Sequence, residues 1–321
     1  MKRELPKRKD EQEMESIVQN RQEVQALLES QQYIPNQEVI YAVFNAMRLN
    51  MPILIEGPAG TGKTELAKVL HQALNWELLR VQCYEGIDFS KVLYEYNYAK
   101  QMITINALQS KINEGMVGLS LDESINHFKE DTNFFDERFL LKRPLLKAIE
   151  GDQRKILLID EIDKSDEEFE ALLLEFLGEF SVSIPEYRTI SCPQGREPIV
   201  ILTSNANREL SEALKRRCIY LYIDYPSQAV ESRIIAEKAN VDEVFAQKVA
   251  QAVKNIRSIK SLKQKPSIAE SIMWAKSLLI HLGEEPFDES NKESIDWTLN
   301  VLLKNQLDIG RVKANRYLAN V

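Results

Sequence analysis

Between Pro52 and Asp224, short unbroken apolar runs alternate with longer stretches whose apolar residues recur every three or four positions. An unbroken run suits a strand covered on both faces, and the wider spacing marks one face of a helix. The alternation therefore predicts a parallel α/β sheet. The expected strands are Ile53–Glu56, Leu78–Cys83, Ile156–Asp160, Ile199–Thr203 and Cys218–Ile223. Helical spacing follows the first strand in Leu66, Val69, Leu70, Ala73 and Leu74, and the third in Phe169, Leu172, Leu173, Phe176, Leu177 and Phe180. Ser165 and Glu168 have the spacing of a capping box for that later helix. The alternating stretch Ser181–Ile190, turning at Pro185-Glu186, predicts a hairpin ahead of the fourth strand.

Outside this region the pattern changes. Residues 1 to about 37 are charged and Gln-rich, with Val24, Leu27 and Leu28 as a modest helical stripe, and the basic run KRELPKRK is expected to be a solvated tail. Asp224-Tyr225-Pro226-Ser227 breaks the α/β alternation. Beyond it everything has helical spacing, clearest in Phe245, Val249, Ala252, Val253 and Ile256. The expected division is a helical extension over 1–37, an α/β domain over 38–225 and a smaller all-helical domain over 226–321.

The totals fit this picture: 321 residues, 44% of them hydrophobic, supply a sizeable core for one large and one small domain. A net charge of −8 offers a polyanion little to hold, so nucleic acid is disfavoured and a protein partner favoured. Three cysteines without a CxxC pair, and three histidines, suggest neither a disulfide framework nor a zinc module. No apolar leader opens the chain and no apolar run is long enough to cross a bilayer, which points to the cytoplasm.

The most informative motif is Gly57-Pro58-Ala59-Gly60-Thr61-Gly62-Lys63-Thr64, which satisfies G-x-x-x-x-G-K-[ST] between an expected strand and an expected helix. Glycines let backbone N–H groups turn inward around phosphate, and the helix start adds partial positive charge. Such a pattern arises by chance in roughly one chain of this length in a hundred at ordinary glycine usage, and the strand–loop–helix context makes a bare glycine turn less tenable still. Lys63 is expected on the β- and γ-phosphates of ATP or GTP, and the Thr64 hydroxyl on Mg²⁺.

KILLIDEID sets Asp160 and Glu161 at the end of an apolar strand, where ligands sit in open α/β sheets. Adjacent buried acids need a compensating cation, so Asp160 is expected to hold Mg²⁺, and Glu161 to orient and deprotonate the attacking water. Asp163 is expected only to cap the helix that follows. The strand PIVILTSN ends at Asn205, whose amide suits the lytic water or the γ-phosphate. Then a short helix ends in Lys215-Arg216-Arg217. Lys215 serves well enough as a helix-dipole partner. The two arginines suit bidentate recognition of a neighbouring subunit's γ-phosphate, with Arg217 the first choice.

With these features in order, the chain resembles the AAA+ ATPases and, within them, the MoxR family, in particular its CoxD-like branch of carbon monoxide dehydrogenase maturation ATPases. The likeness is carried by GPAGTGKTELAK, VQCYEGIDFSKVLYEYNYAKQ, ERFLLKRPLLKAIE, ILLIDEIDKSDEEFEALLLEFLGEFSVSIPE, ILTSNANREL, ALKRRCIYLYIDYPS and KPSIAESIMWAKSLL, from about Tyr33 to Leu279. The resemblance implies a five-stranded parallel P-loop sheet of order 5-1-4-3-2, a helical lid, and a homo-oligomeric ring, hexameric in the family. It also implies ATP with Mg²⁺ as cofactors, adenine held near Tyr33 and Ile34, and chaperone-like remodelling of a protein client with a von Willebrand A domain partner. A nucleic-acid motor or loader on the same core is the alternative.

An insert of a helix and a hairpin is implied over about 84–150, where Tyr94, Tyr96 and Tyr98 alternate as in a strand; packing on a local sheet is the expected role of these rings. Many members carry a lid arginine in a motif like GASPRA. Here KPSIAES offers Ala269 and Glu270, leaving Arg257, Lys263 and Lys265 as substitutes that spacing does not separate.

Overall fold

The computed structural model describes residues 18–115, 136–185, 187–283 and 286–319. The first helices are α1 (Arg21–Glu29) and α2 (Gln37–Leu49); then come β1 (Ile53–Glu56), α3 (Lys63–Leu74) and β2 (Leu78–Gln82). A small excursion follows: α4 (Phe89–Val92), β3 (Tyr94–Tyr96), α5 (Tyr98–Gly115), β4 (Leu140–Lys142) and α6 (Pro144–Ile149). The chain returns through β5 (Ile156–Asp160), α7 (Glu167–Glu179), the hairpin β6 (Ser181–Ile184) and β7 (Arg188–Ser191), β8 (Ile199–Ser204), α8 (Glu212–Arg217) and β9 (Ile219–Tyr222). Five helices close it: α9 (Gln228–Ala239), α10 (Glu243–Arg257), α11 (Ile268–Leu282), α12 (Lys292–Leu302) and α13 (Gln306–Lys313).

The central sheet runs β2-β5-β8-β1-β9, with every pairing parallel. Counting only these five strands in chain order gives 5-1-4-3-2, the expected order. Side chains alternate across it, so β1, β5 and β8 feed both faces, whereas β9 at the edge turns the exposed Tyr220 and Tyr222 outward. Ile53, Ile55, Ile156, Leu158, Ile199, Ile201 and Leu221 join Val24, Leu28, Val43, Leu66 and Leu70 on one side. Leu54, Leu157, Ile159, Val200 and Leu202 meet Leu145, Leu173 and Phe176 on the other. A third core, built around Trp274, draws only on residues from Ile235 onward; the Trp274 indole donates to the Thr298 hydroxyl at 2.7 Å. Burying each such large apolar side chain contributes about 1.5–3 kcal/mol.

Two expectations about local structure are corrected. The box at Ser165 does not form: the Ser165 hydroxyl donates to the Ile162 carbonyl at 2.8 Å, closing a 3₁₀ turn, and α7 starts one residue later with Asp166 accepting from the Phe169 amide at 2.9 Å. Tyr98 does not continue the strand. Tyr94 and Tyr96 lie in β3, half-buried against the core with their rings edge-to-face, but Tyr98 opens α5 and is exposed. The hairpin expected over 181–190 forms, pairing Ile184 with Arg188 and Ser181 with Ser191, although Glu186 of the expected Pro185-Glu186 turn lies outside the described residues. Of the N-terminal tail, residues 1–17 lie outside them as well. No helix among the described residues is long and apolar enough to cross a membrane.

Candidate functional site

The loop Gly57–Thr64 links β1 to α3 at the carboxyl edge of the sheet, and two of its glycines are required by close approach. At Gly57 a Cβ would lie 1.9 Å from the Ile223 carbonyl oxygen. At Gly60, where φ is +78°, it would lie 2.1 Å from Cβ of Ser267 in the turn before α11. The loop is therefore clasped between the end of the sheet and the C-terminal helices. The Ile268 amide donates to the Gly60 carbonyl at 3.1 Å, and the Thr61 hydroxyl donates to the Pro58 carbonyl at 3.0 Å.

Lys63 is buried, and its ammonium donates to the Gly57 and Pro58 carbonyls at 2.7 and 2.8 Å and to Oδ1 of Asn205 at 2.8 Å. Burial pulls its pKa below the ordinary lysine value, while Asp163, Asp160 and Glu161 partly restore it. The contact brings two of the expected site residues together although they lie on different strand ends.

Asp160, buried at the tip of β5, is the hub of the acidic side. Its Oδ1 accepts from the hydroxyls of Thr64 at 3.0 Å and Thr203 at 2.6 Å, and its Oδ2 from Arg80 at 2.6 Å. Glu161 follows with φ +59°, a left-handed conformation that non-glycine residues adopt chiefly where the surroundings impose it. The Thr203 hydroxyl caps its amide at 2.9 Å. Gln82 and Lys164 hold its carboxylate at 2.8 and 2.7 Å. Asp163 does not cap a helix, contrary to expectation. Its buried carboxylate accepts from the amides of Asn205 and Asn207, both at 3.1 Å, and from the Asn207 side chain at 2.7 Å, so it fixes the turn that carries Asn205.

Tyr33 and Ile34 lie between α1 and α2. The Tyr33 ring packs on the core beneath α3, where burial, and secondarily Glu65, push its hydroxyl up to about 12. Lys238 of α9 reaches the neighbouring Gln32 at 3.3 Å, closing the C-terminal helices over this corner. Arg216 and Arg217 end α8 at the surface, remote in sequence from the loop. Both are exposed, and Arg217 donates to the Leu174 carbonyl of α7. Among the three substitutes for a lid arginine, Arg257 is buried, paired with both oxygens of Glu231 at 2.6 and 2.9 Å and stacked 4.2 Å over the Tyr225 ring. It is thus committed inside the lid, and Lys263 and Lys265 are exposed.

Sequence reading missed Arg80 and Gln82. Their signal is present but faint: in LLRVQ the polar residues fall at alternate positions, and β2 pairs with β5 so that Gln82 stands opposite Asp160. Thr203 is visible in the sequence only as the end of the strand Ile199–Thr203.

The donor set fits ATP and Mg²⁺ on two observations. Among the described residues Lys63 bonds oxygens borrowed from the loop and from Asn205, and Asp160 already accepts a cation, the Arg80 guanidinium, on one oxygen and the Thr64 hydroxyl on the other. Hard oxygens of this kind suit Mg²⁺.

A parallel 5-1-4-3-2 sheet with a phosphate loop, an acidic strand end and an amide-bearing strand beside it defines an AAA-type P-loop nucleoside triphosphatase. The chain belongs to the AAA domain family (dynein-related subfamily), whose profile matches residues 52–218, and it is of the MoxR type. Relatives include the denitrification regulatory protein NirQ of Stutzerimonas stutzeri, 24% identical over 73% of this chain and 71% of that one. Protein NorQ of Paracoccus denitrificans is 24% identical over 77% and 80%. Among solved structures, the Holliday junction branch migration motor RuvB of Thermotoga maritima matches with a TM-score of 0.45 at 17% identity, covering 91% of this chain and 72% of that one.

Proposed function

We propose that this AAA+ protein couples Mg²⁺-dependent ATP hydrolysis to remodelling of a protein client, acting as a ring with a von Willebrand A domain partner to mature or activate a protein complex or metalloenzyme. The observation that carries the hydrolytic reading is the convergence of Lys63, Thr64, Asp160, Glu161 and Asn205 from three strand ends on one loop. Similarity to NirQ, a denitrification regulatory protein, supports a role in regulating another system, and the motif set favours the CoxD-like branch.

In this reading the loop amides and Lys63 bind the triphosphate, Lys63 leaving the Gly57 and Pro58 carbonyls for phosphate oxygens. Thr64 and Asp160 would hold Mg²⁺, Asp160 exchanging its Arg80 partner for the ion, and the ion would supply neutralisation of the phosphate charge. Glu161 draws a proton from the attacking water, and Asn205 holds that water or the γ-phosphate. Tyr33 and Ile34 border the adenine. The arginine pair at the end of α8 completes the site of the adjoining subunit, a contribution of about 10³–10⁵ in rate in related enzymes.

The test is a pull-down with Glu161→Gln, which is expected to keep ATP without turning it over and so to hold a client and a von Willebrand A protein in stoichiometric amounts. ATP hydrolysis by the wild type that rises steeply with DNA or RNA, and falls with salt, would instead point to a nucleic-acid motor.

A further inference from the structure

Glu170 is buried to 2% exposure, yet it touches no part of the nucleotide site. It lies on the inner face of α7, one helical turn past the Asp166 cap, and both oxygens are used on a single segment. One accepts from the guanidinium of Arg208, and the other from the backbone amide of Ser211 at 2.9 Å. Ser211 is the N-cap of α8, the short helix that ends in Arg216-Arg217. The far end of the same helix is tied to α7 as well, since Arg217 donates to the Leu174 carbonyl, its guanidinium lying beside Gly178, where there is no side chain to fend it off.

The pins fall in chain order. Asp163, two residues after Glu161, grips Asn205 and Asn207; Glu170 grips Arg208 and Ser211; Leu174 grips Arg217. All of these bonds tie the segment 205–217 to the stretch 163–174, which begins at the catalytic strand end. The turn at Asn205 and the stretch just after Glu161 are thus joined to α8 by way of α7.

We infer that Glu170 is a positioning residue for hydrolysis in the adjoining subunit: it sets the pose of α8 and with it the exposed Arg216-Arg217 end presented across the boundary. A buried carboxylate is suited to this because its two charge-assisted bonds are geometrically specific and costly to leave half-made. The inference rests on the arginine pair of the proposed function.

The test uses full-length protein and two mixing experiments. Glu170→Gln alone is expected to bind ATP within about two-fold of wild type while kcat falls about ten-fold or more and KM changes little, because Gln keeps the size but loses the ion pair. Mixed with Glu161→Gln, whose sites are dead but whose arginines are intact, it is expected to regain turnover; damage confined to its own site would not be repaired by a neighbour. In parallel, the Arg216→Ala, Arg217→Ala double variant is mixed with Glu161→Gln. If the arginine mixture recovers and the Glu170 mixture, shown to co-assemble, does not, Glu170 has no role across the boundary. If neither recovers, the arginine assignment fails first. Wild-type kcat in Glu170→Gln also overturns the inference. Should Glu170→Gln not fold, Arg208→Lys weakens the same link from its more exposed side, and the same outcomes decide.

Discussion

Lys63 shows how a buried charge is kept usable. Its three partners satisfy the ammonium without a counter-ion in contact, and desolvation holds its pKa below the ordinary value. Phosphate at that position raises the pKa again, so the bound form holds its proton to higher pH than the free form. ATP affinity is therefore expected to be full below the free-protein pKa and to fall as pH rises through it, with proton uptake on binding in the alkaline range; calorimetric titration in buffers of different ionisation enthalpy measures both. Lys63→Ala removes charge-assisted bonds of about 1.5–3 kcal/mol, which predicts a loss of ATP affinity of roughly 10- to 150-fold in a fluorescence binding assay. Glu161→Gln should leave that affinity in place and lower kcat by about 10²–10⁴. At this scale the sequence was legible where a residue type has few uses: a lysine after Gly-x-Gly, two acids at a strand end. Asp163 was misread because its partners, Asn205 and Asn207, are brought in by β8, and nothing along the local chain reveals a backbone amide waiting across the sheet. Arg80 and Gln82 were passed over for the same reason, since only the pairing of β2 with β5 sets them beside the acids.

The element that organises the site is α7. Its start was placed one residue early because Ser165 and Asp166 are both good caps, and the 3₁₀ turn over Ile162–Lys164 claims the serine hydroxyl first. Asp166→Ala is accordingly expected to lower stability by about 1 kcal/mol, read as a lower denaturant midpoint at unchanged slope. Ser165→Ala, which leaves that cap in place, should not show this helix-capping loss. Strands buried on both faces were easy to find, with ends correct to within a residue, since a short unbroken apolar run bounded by polar turns suits little except a strand covered on both sides. The Tyr94–Tyr98 stretch was harder: its alternation is real for β3, but the β4 partner arrives from residue 140 onward, too far along the chain for periodicity to register where pairing stops.

For the whole molecule, the arrangement of sheet and C-terminal helices was legible as two regions, but their contact was not. Gly60 against Ser267 is that contact at its tightest. Gly60→Ala combines a left-handed φ with a clash at Cβ, so a destabilisation of more than about 1 kcal/mol is expected, together with weakened ATP binding as the lid is displaced; thermal melting with and without nucleotide reports both. Assembly is the remaining expectation at this scale. If neighbours complete one another's sites, sedimentation of Glu161→Gln should shift to a larger species on adding ATP and Mg²⁺, and the shift should be absent in Lys63→Ala.

The clasp also sets a direction for mechanical work. Ile268 hangs its amide on Gly60, and Tyr225, braced from behind by Arg257, leans its hydroxyl toward the Ala59 carbonyl at 3.4 Å. The cradle for the phosphates is thus strung to the root of α11, a fifteen-residue helix locked into the C-terminal core through Trp274, Leu278 and Leu282. Tilting those helices as one body would strain the bonds to Gly60 and Ala59 before any other part of the phosphate loop, so nucleotide release is expected to follow their pose.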